Sequence, residues 1–240
     1  MPATAEPTDH VPGRRGRPRL VDDDALLGAA LHAFAANGFD AMSVRSLNAE
    51  LGLSHAAVSQ RFGTKEELFA AAVGHGLDLL LSDIDAVQRR LLAADRHPDD
   101  LAVLRSAIRA FLEVGDRRPE IGQLMNQEGL QASPRLDFIL ETLGPLVETL
   151  GPLVERLIED GVIHPVELRT LFFLSTHGAA GPFTLSALSA SFDPIDGPLE
   201  RHRYVVEVTD IIMRGITVHP GPEGPTGRPG GHPPVVGPDP

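Results

Sequence analysis

Four arginines fall within the six residues Arg14-Arg15-Gly16-Arg17-Pro18-Arg19. A guanidinium is always charged and pairs well with phosphate. The glycine offers no side chain and the proline fixes its backbone, so the run can lie flat in a narrow minor groove with its arginines leading. Further on, His55, Ser59, Gln60 and Arg61 put donors and acceptors close together in "SHAAVSQRF". A glutamine there can pair with adenine in a major groove or donate to a phosphate, a histidine can read a base or sit beside a phosphate, and an arginine can grip the backbone. Gln123, Asn126, Gln127, Thr176 and His177 form a third set, polar residues on otherwise apolar stretches. With Phe111 and Phe138 they are candidate contacts for a small molecule. The chain has no cysteine, no tryptophan and one tyrosine, so thiolate chemistry is excluded and a cage of stacked aromatics is disfavoured; a mainly aliphatic cavity is expected. His75 and Asp78 share a helical face, a common accidental spacing, and no metal site is expected.

These residues need elements to hold them. Asp22, Asp23 and Asp24 stand before a run with Leu27, Leu31 and Phe34 on one face, which predicts a helix with acids at its positive end and Gly38 as a left-handed stop. Ser43 can cap a second helix with Val44, Leu47 and Leu51 inward, and Gly52 permits a turn. Ser54 is expected to cap a third helix with Val58 and Phe62 inward, leaving His55, Ala56, Ser59 and Gln60 outward. Gly63 stops it, and Thr64 with Glu67 matches a capping box for a fourth. Short helix, glycine turn, short helix is how a helix-turn-helix stands its second helix proud enough to reach base edges, although ordinary bundles use the same pieces.

The segment "NGFDAMSVRSLNAELGLSHAAVSQRFGTKEELFAAAV" resembles the DNA-binding domain of the TetR family of transcriptional repressors. The likeness covers roughly residues 21–73 and rests on Gly38-Phe39, Ser43-Val44, the run from Ala49 to Ser54, Phe62 and Lys65-Glu66. It implies an all-α protein: an N-terminal three-helix helix-turn-helix domain, then a helical domain that dimerises and encloses a small-molecule pocket. The DNA-facing set is then Arg14, Arg15, Arg17, Arg19, Ser43, Arg45, Ser54, His55, Ala56, Ser59, Gln60, Arg61 and Lys65. The family commonly carries a basic residue after the serine cap and aromatics late in the third helix. Here His55, Ser59, Gln60 and Arg61 stand instead, so the phosphate grip is redistributed.

Beyond Lys65 the chain reads as longer helices, the fourth weakened by Gly74 and Gly76 and followed by another segment to about Ala94. Leu101, Leu104, Ile108, Phe111 and Leu112 mark one apolar face, and Pro119 opens a short helix toward Glu128. Leu-Gly-Pro-Leu-Val-Glu then occurs twice, seven residues apart. Its apolar stripe argues one helix while Pro145 and Pro152 argue against it, so a bent helix is expected. The resemblance places two last long helices, about 166–188 and 198–216, in a four-helix dimer interface, with Leu171, Leu174, Tyr204, Val208, Ile211 and Ile212 as candidates.

The net charge of −12 argues against coating nucleic acid by bulk attraction. No apolar stretch of about eighteen residues suits a bilayer and no leader-like segment opens the chain, so a cytoplasmic protein is expected. The organisation read here is a basic arm (1–20), a helix-turn-helix domain (21–68), a ligand-binding and dimerisation domain (69–217) and a disordered Pro/Gly-rich tail (218–240). The expected partners are double-stranded operator DNA, a second copy of the chain and a largely apolar effector, with no cofactor. The alternative is an enzyme using the C-terminal cavity, for example a histidine-dependent hydrolase, but no nucleophile elbow or phosphate-binding loop supports it.

Overall fold

The structure, a computed structural model, describes residues 21–219. The arm arginines Arg14, Arg15, Arg17 and Arg19 therefore lie outside the described residues, as does the tail beyond His219. Twelve α-helices and one π-helical segment follow in order among the described residues, and the only β pairing among them is an isolated bridge between Ile163 and Thr217.

Helix α1 (Asp23–Ala41) starts where Asp22 accepts a hydrogen bond from the Ala25 N–H at 2.7 Å. Gly38 sits inside it at φ 76° and ψ 163°, a conformation only glycine takes without strain, so the last residues turn off as a separate hook. α2 (Val44–Glu50) is capped by Ser43, as expected. α3 (Ala57–Phe62) differs from expectation at its start: Ser54 caps nothing with its side chain, and the helix begins three residues later without a side-chain cap from the preceding residue. The expected capping box opens α4 in full, Thr64 Oγ1 accepting from Glu67 N–H at 3.1 Å and Glu67 Oε2 accepting from Thr64 N–H at 2.8 Å. The Thr64 N–H and, secondarily, the Thr64 hydroxyl donate to Glu67 Oε2 and hold its carboxyl below the usual carboxylate range.

α4 (Lys65–Leu92) is one unbroken helix of 28 residues, not two segments. Gly76 serves packing. A Cβ there would fall 2.5 Å from Leu31 Cδ2 and 3.2 Å from Ile121 Cδ1, so a larger residue would force those side-chain ends to shift where α4 meets α1 and α6. α5 (Asp100–Arg117) and α6 (Pro119–Glu128) follow the predicted faces. α7 (Pro134–Glu159) is continuous through Pro145 and Pro152. Both prolines lie on its exposed side, and Thr149 Oγ1 donates to Pro145 O at 2.8 Å.

The long helix expected over 166–188 is instead broken into α8 (Leu168–Phe173), the π-helical segment Leu174–Ala179 and α9 (Gly181–Thr184), followed by α10 (Ser186–Ala190) and α11 (Asp193–Asp196). Pro182 and Pro194 supply no amide donor, and Leu185 leaves helical geometry at φ −109°, ψ 52°. α12 (Arg201–Ile216) closes the fold.

Two apolar cores result. One joins α1 to α4 with α5, α6 and α7 around Phe34, Phe39 and Phe69, whose rings meet at centroid distances of 5.1–5.9 Å. The other gathers Leu104, Leu112, Leu157, Phe183, Val205 and Met213. The boundary drawn at residues 68 and 69 thus falls inside α4, which belongs to both halves. At the other end, Val218 N–H donates to Val162 O at 3.0 Å, so pairing extends one residue past the boundary at 217.

Candidate functional site

The turn between α2 and α3 is held by a residue to which the sequence patterns assign no role. Asn48 is completely buried. Its Nδ2 donates to Val44 O at 3.0 Å and to His55 O at 3.1 Å, and its Oδ1 accepts from Val58 N–H at 3.2 Å. Asn48 therefore does for α3 what Ser54 was expected to do, satisfying a first-turn amide from the neighbouring helix. A polar residue one place after the inward Leu47 was the available signal, but a surface asparagine looks the same.

With that turn fixed, Val58 is buried, and Ser54, His55, Ala56, Ser59 and Gln60 are all exposed. Ser59 and Gln60 stand on the outer side of α3, Ser54, His55 and Ala56 lie in the turn that leads into it, and Arg45 is exposed on α2. Two cations of the expected DNA-facing set are engaged within the chain. Arg61 donates through Nη1 to Val21 O at 2.8 Å and through Nη2 to Asp23, pinning α3 to the start of α1. Lys65 Nζ donates to Asp40 O at 3.1 Å and lies 4.8 Å from the Phe39 ring centroid.

The opposite face of Phe39's surroundings belongs to the C-terminal half. The Arg135 guanidinium carbon is 4.2 Å from the Phe39 centroid, and its Nε donates to the buried Glu128 at 2.9 Å. Gln127 Nε2 donates to Ala35 O at 2.8 Å. The end of α6 therefore holds α1 just before Gly38, and the start of α7 holds the hook beyond it.

A cavity of about 220 Å³ lies among α4, α5, α6, α7, α8 and the π-helical segment, its wall mainly aliphatic. Of the candidate ligand contacts, Phe111, Asn126, Thr176 and His177 line it. Gln123, Gln127 and Phe138 are not in the wall: Gln127 is spent on Ala35, and Phe138 packs in the first core, 3.8 Å from where a Gly74 Cβ would sit. Periodicity could place these residues on α6 and α7 but could not say which side faced the hollow. Gln88, Met125 and Thr184 belong to the wall and were not foreseen. Thr184 Oγ1 accepts from Asn126 Nδ2 at 3.2 Å.

The six candidate dimer residues divide. Leu171 and Ile212 are buried in the chain's own second core. Tyr204 and Val208 pack against that core, and the Tyr204 hydroxyl donates to Ala179 O at 2.8 Å, its pKa pushed up by burial. Leu174 and Ile211 are exposed, 45% and 60% respectively.

The pattern described as "Bacterial regulatory proteins, tetR family" matches residues 26–72, the stretch that folds into α1, α2, α3 and the start of α4. Over that stretch the chain carries a DNA-binding domain of the TetR type, that of a transcriptional regulator. It is 28% identical over 163 residues to the HTH-type transcriptional regulator RutR of Escherichia coli K12, covering 68% of this chain and 74% of that one. The regulator's fold is shared with the ketosteroid transcriptional regulator KstR2 of Mycobacterium tuberculosis, at TM-score 0.56 and 20% identity over 81% of this chain and 94% of that one. It is shared too with AibR, solved in complex with isovaleryl coenzyme A and operator DNA, at TM-score 0.55 and 17% identity over 78% and 95% of the two chains. Among the regulator's described residues no helix is long and apolar enough to cross a membrane, and no three metal-ligating side chains gather.

Proposed function

We propose that this regulator is a homodimeric repressor that acts by binding alone, holding a palindromic operator and leaving it when a small, largely apolar effector fills the cavity. The observation that carries this reading is that α6 has two employments. Ile121, Gly122, Met125 and Asn126 line the cavity, while Gln127 and Glu128 on the same helix reach Ala35 and, through Arg135, Phe39. Filling the cavity cannot move α6 without disturbing the end of α1, where the Asp40 carbonyl accepts from Lys65 at the start of α4.

On the DNA side, His55, Ala56, Ser59 and Gln60 face the major groove, with Ser43, Arg45 and Ser54 beside the phosphates and the arm arginines in the adjoining minor groove. Arg61 and Lys65 orient the helices that carry these contacts. A dimer presents two recognition helices to half-sites about 34–36 Å apart. Leu174 and Ile211, with the exposed Phe173, offer apolar surface for the partner copy. The AibR complex, with acyl-coenzyme A and operator in one assembly, supports an effector-and-operator reading of this fold.

The test is reciprocity. A compound found to raise the melting temperature of the free protein is titrated by calorimetry with and without saturating operator. An inducer binds about 5- to 150-fold more weakly to the operator complex, a coupling of about 1–3 kcal/mol. Equal affinities in the two titrations rule out induction by that compound.

A further inference from the structure

The inner cavity has a neighbour. A groove of about 700 Å³ runs over the surface between α9, α10, α11 and the start of α12, and His177 is the residue that borders both spaces. His177 sits in the π-helical segment, where the Ala180 N–H reaches back five residues to Ser175 O at 3.0 Å. Such widened turns recur at functional sites because they push one side chain out of register.

The hydrogen bonds around His177 settle which edge of its ring is free. Thr176 Oγ1 is 2.7 Å from Phe172 O and 2.7 Å from His177 Nδ1. A carbonyl can only accept, so the single hydroxyl hydrogen goes to Phe172, and the Nδ1 contact must bring its own hydrogen. Neutral His177 thus carries its proton on Nδ1, and Nε2 is a bare lone pair with no partner among the described residues. Phe173 packs on the ring at 4.9 Å between centroids and steadies it.

The charges agree. Asp193, Asp196, Glu200 and Glu207 line the groove against one arginine, Arg203, which faces Glu207 at 4.0 Å. The wall of the inner cavity has one cation, Arg118, and its Nε is held by Asp83 at 2.6 Å. We infer that the effector is an apolar molecule whose head is a hydrogen-bond donor, a hydroxyl or an amine, given to His177 Nε2 at the junction of cavity and groove. An anionic head would meet a lone pair there, at the edge of a groove lined by four carboxylates. The inference rests on the reading of the inner cavity as the effector site.

The experiment uses the full-length protein and three probes of equal chain length, octan-1-ol, octylamine and octanoate, by calorimetry at pH 8, above the ordinary imidazole range. The alcohol and the amine should bind at least about tenfold more tightly than the carboxylate, the size expected of one satisfied hydrogen bond against an unsatisfied one. His177→Phe keeps the aromatic contact with Phe173 and removes the acceptor, so it should shrink that preference to about threefold or less without changing the melt. His177→Gln, which retains an acceptor, should restore part of it. Octanoate binding as well as octan-1-ol to the wild type overturns the head-group inference, and so does a preference that survives His177→Phe. Ala107→Leu, which fills the inner cavity, separates the two levels: if it leaves all three affinities unchanged, the cavity reading itself fails. Binding by none of the probes to the wild type overturns both.

Discussion

Asn48 concentrates more of the recognition geometry than any DNA-facing residue. It is fully buried, and its amide supplies both donors and its acceptor to three backbone groups of α2, the turn and α3. Truncation to alanine strands the Val58 N–H in a place water does not reach and takes a donor from the part-buried His55 carbonyl, which costs more than the bonds were worth in the fold. Asn48→Ala should lower stability by about 2–3 kcal/mol in urea unfolding. Asn48→Asp should do no better at neutral pH, because a carboxylate keeps the acceptor but loses both donors and buries a charge. A melting curve unchanged by Asn48→Ala would mean that the turn is held by its glycine and its apolar contacts alone. Gly52, at φ 65°, shapes the turn without bonding anything across it, so it cannot substitute for the clamp.

At the scale of elements, α7 shows apolar burial overriding an unfavourable backbone. Pro145 and Pro152 each remove an amide donor from the interior of a helix that nevertheless runs unbroken from Pro134 to Glu159. The stripe of Leu153, Val154 and Leu157 in the second core and Ile139 in the first holds its two halves to the same body. At about 25 cal/mol per Å² of apolar surface, a few buried leucines offset roughly the 3 kcal/mol a helix-interior proline costs. Because both prolines face solvent, Pro152→Ala should restore the amide bond to Glu148 O without opening a cavity. It is expected to stabilise the protein by about 1–3 kcal/mol in thermal or denaturant unfolding. No gain would show that the ring's clash is already relieved by curvature of the helix.

Across the whole molecule, a chain of net charge −12 has to approach a polyanion. Lys65 and Arg61 are occupied within the domain, which leaves Arg45 on α2 and the arm arginines as the cations of the proposed interface. Removal of residues 1–19 takes away four arginines per chain. The shortened protein should fold and dimerise as before, bind operator more weakly, and show a shallower dependence of log affinity on log salt, by up to about 0.9 for each phosphate that is no longer neutralised. A salt titration in which affinity and slope both stay the same would assign the operator grip to α2 and α3 alone.

What the sequence determined by itself was local. The acids Asp22, Asp23 and Asp24 at a helix start, the caps Ser43 and Thr64 with Glu67, the turn glycines and the outward-facing set His55, Ala56, Ser59 and Gln60 are short-range patterns. Each rests on a hydrogen bond or a dihedral within about four residues, and with the Gly38-Phe39 and Lys65-Glu66 motifs they pointed to the family. What only the tertiary structure decided depends on partners distant in the chain. Ser54 was the expected cap and Asn48 had no assigned role until the packing of α2 on α3 buried Asn48 and left Ser54 exposed. Gln127 looked like Asn126 until α6 docked on α1 and turned one toward Ala35 and the other toward the cavity. The same holds for α4 and for residues 166–188. Gly74 and Gly76 signal a weak helix by propensity, yet burial against Leu31 and Ile121 lets the second of them bring three helices close together. An apolar run that promised one long interface helix broke at Pro182 into short pieces that instead enclose a groove. Propensity is a matter of tenths of a kilocalorie per residue, whereas burying a side chain is worth kilocalories, so long-range packing decides wherever the two compete.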